Sequence, residues 1–271
     1  MGDSCNSICY LNGTQLQCDL SSCDGPSTAW AVTRFNGGAT DISAFGTCNG
    51  EDFCCPFTDN GQVPLTDVAI CGSGYTDTLG FSYDDSGTVS DLRPYTGGQN
   101  LSSRIAADGG DDNVTGSDFA GSSYGELLCG GLGGDTMAGQ SDSDWIVGDS
   151  GNDIITGGAG NDRIWGGDGS DTIEGAGGND LICETGADLG NGCPVNLMHG
   201  NGGSDVLWLD YDGTCGSSAL DPLSTCGTDN DRFGDSNNFT LPADCDVPIT
   251  TEPPPCSPAP FCVGCFNPGP G

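Results

Sequence analysis

The chain has no lysine, one histidine and five arginines, set against 39 acidic residues. Without lysine, Schiff-base chemistry and the lysine of a phosphate-binding loop are excluded. A formal net charge of −34 at neutral pH makes nucleic acid and anionic membrane surfaces poor partners and divalent cations the natural counter-charge. No apolar run approaches the roughly 18 residues needed for a membrane span. Aromatic residues make up only 7% of the chain, too few large apolar groups for an ordinary globular core. A repeat that buries one residue per unit is still compatible with that composition. The opening "MGDSCNSIC" has neither a basic segment nor an apolar run, so no signal peptide is visible and the sequence reads as a mature form with an initiator methionine.

Glycine and cysteine are abundant, at 48 and 17 residues. The cysteines lie mostly outside the periodic region, a density that fits disulfides in an oxidising, secreted, extracellular or cell-surface setting. Residues 1–63 form a cysteine-rich N-terminal region with Cys5, Cys9, Cys18, Cys23, Cys48, Cys54 and Cys55, and Cys71 follows shortly. Short β-type stretches there are separated by Gly, Asn and Asp turns. The region lacks histidine and a finger-like spacing, which favours disulfides over zinc. Residues 64–106 read as a transitional β region with degenerate repeats, "GSGYTDTLG" (72–80) among them. The repeat region spans 107–234, and 235–271 is a proline- and cysteine-rich tail tied down by Cys256, Cys262 and Cys265, with Cys245 as a candidate partner.

In strict register, nine-residue units start at Gly121, Gly130, Gly139, Gly148, Gly157, Gly166 and Gly175. Their sixth positions are Glu126, Asp135, Asp144, Asp153, Asp162, Asp171 and Asp180, and their eighth positions Leu128, Met137, Ile146, Ile155, Ile164, Ile173 and Ile182. Looser copies supply Asp112/Val114, Asn196/Met198 and Asp205/Leu207, separated from the regular array by the insertions "GSDFA" and "ETGADLG". Each unit joins a glycine-rich turn to a strand of three residues, of which one points inward. Two units make one flattened turn of a right-handed parallel coil, so Asp135, Asp153 and Asp171 stack on one edge and Asp144, Asp162 and Asp180 on the other. At the strand spacing of about 4.8 Å, uncompensated carboxylates repel by about 1 kcal/mol per pair in water and several-fold more at an effective dielectric near 20. A hard cation between turns reverses that sign, because calcium accepts six to eight oxygens from carboxylates and carbonyls. Folding and calcium binding are therefore expected to be one coupled event involving several ions.

Units such as "GGAGNDRIW" and "GGDGSDTIE" resemble the nonapeptide of RTX, or haemolysin-type, calcium-binding proteins. The resemblance is specific over 121–183, looser over 107–234 and absent at both ends. It implies an all-β fold, a right-handed parallel β-roll (a β-solenoid) flanked by disulfide-rich, irregular or β regions, with calcium in the turns. Carried over by position, the metal ligands are Asp135, Asp144, Asp153, Asp162, Asp171 and Asp180, with Asp112 and Asp205 from the looser copies; Glu126 departs from the aspartate pattern. RTX proteins are usually almost free of cysteine and leave by type I secretion, so the cysteines here fit a cleaved signal and oxidative folding better. Cys183/Cys193 and Cys215/Cys226 each bracket an insertion and are expected to pair as local staples.

Sorted by parity, one outward face shows Thr136, Ala138, Ile154, Thr156, Thr172 and Glu174, and the other shows Leu127, Cys129, Trp145, Val147, Arg163, Trp165, Leu181 and Cys183, joined by Val206 and Trp208. Such an apolar stripe needs cover. The N-terminal cysteine-rich region is the expected cover, with Cys129 bonded into it; a protein partner or self-association through the Trp145/Trp165 face is the alternative. The serine motifs "GSSYG" (121–125), "GDSGN" (148–152) and "GDSN" (234–237) lie within or beside the repeat, and no strand-to-helix elbow is predicted there. No catalytic residue is singled out. The sequence therefore reads as a secreted calcium-binding β-roll with a structural, adhesive or assembly role. The alternative is an extracellular hydrolase or other carbohydrate-active enzyme using the roll as scaffold.

Overall fold

The computed structural model describes residues 8–12, 15–36, 39–58, 67–83, 102–117, 125–184, 196–209, 224–227, 232–235, 244–245 and 247–249. Each regular unit becomes one strand, and successive units alternate between two sheets. One sheet carries Leu127–Leu132, Trp145–Ser150, Arg163–Asp168, Leu181–Glu184 and Val206–Leu209; the other carries Asn113–Thr115, Thr136–Ser141, Ile154–Ala159, Thr172–Gly177 and Leu197–Gly202. Neighbours within a sheet are parallel; in the regular array they are eighteen residues apart, with Ile146 opposite Ile164 and Ile155 opposite Ile173, and the two insertions widen the interval, as between Asn113 and Thr136 or Leu181 and Val206. This is a parallel β-roll, and no helix appears among the elements of the described residues.

The eighth-position residues form its interior. Leu128, Met137, Ile146, Ile155, Ile164, Ile173 and Ile182 are all buried, and Val114, Met198 and Leu207 extend the row. Because each strand contributes a single inward side chain, the core is one residue thick from each sheet. The backbone hydrogen bonds between turns do the rest of the ordering.

Turn geometry explains the glycines. In the regular units from Gly130 to Gly175 the second position has positive φ, a conformation met by Gly131, Gly158 and Gly167 but also by Gln140, Asp149 and Ala176. The fourth position is stricter: Gly160 has φ 150°, and a Cβ there would collide with the backbone carbonyl of Asp142 one turn away.

Parallel stacking continues N-terminally beyond residue 107. Gln15–Asp19, Asp67–Cys71 and Ser102–Ala106 stack onto Leu127–Leu132, and Ser27–Asn36 and Asp77–Tyr83 onto Asn113–Thr115, with Cys18, Ile70 and Ile105 in register with Leu128, Leu79 in register with Val114, and all of them buried. The stack ends in antiparallel partners, Cys9–Asn12 on one sheet and Ala39–Cys48 followed by Glu51–Thr58 on the other. Antiparallel hairpins pair what would otherwise be open sheet edges. Cys9–Cys18 and Cys23–Cys48 lock this end.

Three expectations are corrected or narrowed. Cys226 pairs with Cys245, not Cys215, so this bridge ties a late turn of the roll to the tail and does not staple an insertion. Cys183 is disulfide-bonded, while Cys193 lies outside the described residues. The described N-terminal strands join the ends of the two sheets instead of crossing the tryptophan face, because their own edges demand pairing. On that face Val147, Trp165, Cys183 and Trp208 are buried together, whereas Trp145 is 41% exposed. Trp145 lies opposite Arg163 and Trp165 opposite Val147, so the two rings are diagonal, 5.9 Å apart, with the Arg163 guanidinium over the Trp145 ring.

Candidate metal centre

The sixth-position carboxylates are drawn inward by the backbone itself. On one edge the N–H of Asp77 donates to Asp112 Oδ1, Asp112 to Asp135, Asp135 to Asp153, Asp153 to Asp171, and Asp171 to the side chain of Asn196. On the other, Glu126 donates to Asp144, Asp144 to Asp162, Asp162 to Asp180, and Asp180 to Asp205. These bonds span 2.5–2.9 Å and place the acids in the two edge rows expected from the spacing. One oxygen of each carboxylate is used in this way.

The second oxygen is not. Oδ2 of Asp112, Asp135, Asp153, Asp162 and Asp180 is buried and has no hydrogen-bond donor. A buried acceptor left bare costs about 1–3 kcal/mol, more when it is charged, so a row of them has to be explained. They point at the first glycine of their own unit. Oδ2 of Asp162 lies 2.5 Å, and the Gly175 carbonyl oxygen 2.8 Å, from the point a Cβ on Gly157 would take. The same pairing of an aspartate with a carbonyl one full turn on recurs for Asp135 at Gly130, Asp144 at Gly139, Asp153 at Gly148 and Asp180 at Gly175. For Asp205 at Gly200 the carbonyl comes from Cys226, held by its bridge to Cys245. Oxygen-lined spaces combining carboxylate and carbonyl are what a hard divalent cation takes, and the residues present fit calcium. Among the described residues no three acidic, cysteine or histidine side chains converge, consistent with sites that draw most of their oxygens from backbone.

Burial raises the proton affinity of these groups. It pushes Asp153, Asp180 and Asp112 up to about 7 and Asp135 and Asp162 up to about 6, against the opposing effect of the backbone N–H bonds. Asp144 rises further, to about 10, through burial and the facing Glu126.

Deviations from the regular unit are informative. Asp112 has an alanine, Ala107, at the position where the regular units have glycine, so its surroundings lack the Cβ-sized space. Asp77 accepts from the Ser73 and Ser27 backbones and from the Ser73 hydroxyl, so both of its oxygens are already satisfied by protons. Glu126 aims at Gly116, ten residues back instead of five, and its longer side chain also accepts from the Ser117 hydroxyl. Sequence reasoning missed Glu184. It occupies the first position of the next nine-residue interval, where the regular units have glycine, and its carboxylate accepts the N–H of Gly167 at 3.1 Å.

The RTX calcium-binding nonapeptide repeat, a family model of four copies, matches residues 130–164 and again 147–182. No curated protein and no solved structure matches the chain. The matched stretch is the part of the roll with the most regular glycine spaces, and residues 130–182 are RTX calcium-binding repeats within the parallel β-roll.

Proposed function

Starting from an RTX calcium-binding β-roll, we propose that this is a secreted protein whose folding is coupled to several calcium ions and whose role is structural, adhesive or in assembly. One observation carries the reading. A row of buried carboxylates spends one oxygen on the neighbouring turn and directs the other into a glycine space beside a carbonyl. Asp135, Asp144, Asp153, Asp162, Asp180 and Asp205 have that arrangement, Asp171 shares its glycine space with the Glu184 side chain, and all seven are proposed as ligands. Asp112, with its bare Oδ2 but no glycine space, is proposed as a weaker one.

Calcium would supply the positive charge between turns; the chain's own part is to hold the oxygens in place before the ion arrives. The bridges Cys9–Cys18, Cys23–Cys48 and Cys226–Cys245 support an oxidising, extracellular destination. They also hold both ends of the stack, so calcium acts on a roll that is already clamped. The test is thermal unfolding of the oxidised protein with excess calcium and with a chelator. Calcium should raise Tm by many degrees, in proportion to the logarithm of its free concentration. A curve unmoved by chelation would remove the turns as metal sites.

A further inference from the structure

The regular array breaks at residue 184, where an insertion separates the strand Leu181–Glu184 from Leu197–Gly202. In an uninterrupted roll the turn at Gly166 would receive a carbonyl from the first residue of the unit eighteen positions on, as Gly148 does from Gly166. That residue is Glu184. Its side chain folds back: one oxygen accepts the Gly167 N–H, and the other reaches the space a Cβ on Gly166 would fill. Asp171 Oδ2 lies 2.7 Å from the same point. Asp171 is 1% exposed and this oxygen meets no N–H or O–H donor; the facing Glu184 can donate to it only when protonated. On the same edge, the next rung after Asp171 is the neutral amide of Asn196 where an aspartate would stand.

We propose that Glu184 and Asp171 together form a two-carboxylate divalent-cation site at the Gly166 turn, with the Glu184 side chain taking the place of the interrupted repeat's backbone carbonyl. This rests on the reading that the turns bind calcium, and it makes this site unlike the regular turns. The regular turns offer one carboxylate and neutral carbonyls. The Gly166 turn offers two charges, and calcium affinity rises with the number of charged ligands. It therefore fills first on titration. It also anchors the insertion, because the bound ion would tether Glu184 to the turn before it.

The experiment uses the full oxidised chain and its Glu184→Gln, Asp171→Asn and double variants, each titrated with calcium by calorimetry. Terbium provides a second probe, because Trp165 directly precedes Gly166 and lies close enough to sensitise emission from an ion bound there. The wild type should show one ion bound more tightly than the others. Glu184→Gln should weaken that ion by about tenfold or more, leave the remaining ions unchanged and lower terbium emission at sub-stoichiometric metal. The double variant should lose the same ion as the single ones, since both residues serve one site.

Glu184→Gln is isosteric and can still accept the Gly167 N–H, and an unchanged far-ultraviolet circular dichroism spectrum confirms that it folds. If Glu184→Gln leaves the tightest ion untouched while Asp162→Asn still removes one, the pair is not a site and the general calcium reading stands. If the double variant loses two ions, Glu184 acts elsewhere and the proposal is overturned. If the wild type binds no calcium, both readings fall.

Discussion

The backbone N–H of Asp153 donates to Oδ1 of Asp171 at 2.8 Å, one rung of a ladder that climbs the edge of the roll one turn at a time. The same carboxylate is therefore a structural acceptor through one oxygen and a candidate ligand through the other. Substitutions can separate those two duties, because asparagine keeps an acceptor and discards the charge, whereas alanine discards both.

On the opposite edge, Asp162 accepts from the Asp144 N–H at 2.8 Å. Asp162→Asn should make the calcium-free protein as stable as the wild type or more so, since it removes a buried charge and keeps the bond. The same change should reduce the increase in Tm produced by calcium. Asp162→Ala should lower stability under both conditions, by about 1–3 kcal/mol without calcium, because the Asp144 N–H loses its acceptor. Chemical denaturation with and without calcium measures all four values. Equal behaviour of the two variants without calcium would show that the rung contributes nothing.

Protons and calcium should oppose each other. Burial holds Asp153 and Asp180 up at about 7 and Asp135 and Asp162 up at about 6, above the ordinary aspartate value of 3.8. In calcium-free protein the folded state then binds more protons than the unfolded state between about pH 4 and pH 7. The stability these groups contribute is full below pH 4 and is lost as the pH rises through 6 to 7. Calcium-free Tm should therefore fall from pH 5 to pH 7.5, while the calcium-induced rise in Tm grows over the same range as protons leave the ligands. A calcium-free Tm that climbs across this window would contradict the burial of these carboxylates.

Two glycine replacements should fail for different reasons. A Cβ on Gly157 would enter the space between Asp162 Oδ2 and the Gly175 carbonyl, and the backbone at Gly157 does not have positive φ. Gly157→Ala should thus weaken calcium binding more than it harms calcium-free stability. Gly160→Ala should destabilise the roll with or without calcium, through its φ of 150° and its collision with the Asp142 carbonyl. Calorimetry together with melting curves distinguishes the two. Identical calcium affinity in Gly157→Ala and wild type would remove the glycine space from the site.

Much of this was legible from spacing alone. A nine-residue interval between Asp153 and Asp162 and an isoleucine two places after each determine the inward row, the two edges and the eighteen-residue register. The N-terminal extension was not legible. Strands such as "DVAIC" and "SSRIA" stack on the roll through Ile70 and Ile105 without any nonapeptide turn to mark them. Parallel pairing needs an inward apolar residue and free backbone groups, and neither leaves a motif. Cysteine pairing failed for a related reason: Cys226 and Cys245 meet through tertiary placement, which sequence proximity to Cys215 does not encode. Glu184 carried a signal that was passed over, a charged residue at the position where the units before it have glycine.

The tryptophans provide the last test, since the face they share is divided. Trp165 and Trp208 are 2% and 3% exposed, whereas Trp145 is 41% exposed beneath the Arg163 guanidinium. Trp30 is intermediate. Acrylamide quenching of the calcium-loaded protein should therefore resolve an accessible and a protected class. Trp145→Phe should remove most of the accessible class and leave the protected emission unchanged. Arg163→Ala uncovers the ring and should make Trp145 easier to quench, at a stability cost of about 0.5–1 kcal/mol for an exposed cation–π contact. If Trp145→Phe leaves the quenching curve unchanged, Trp145 is covered in solution, and the face is closed by a second copy or another protein.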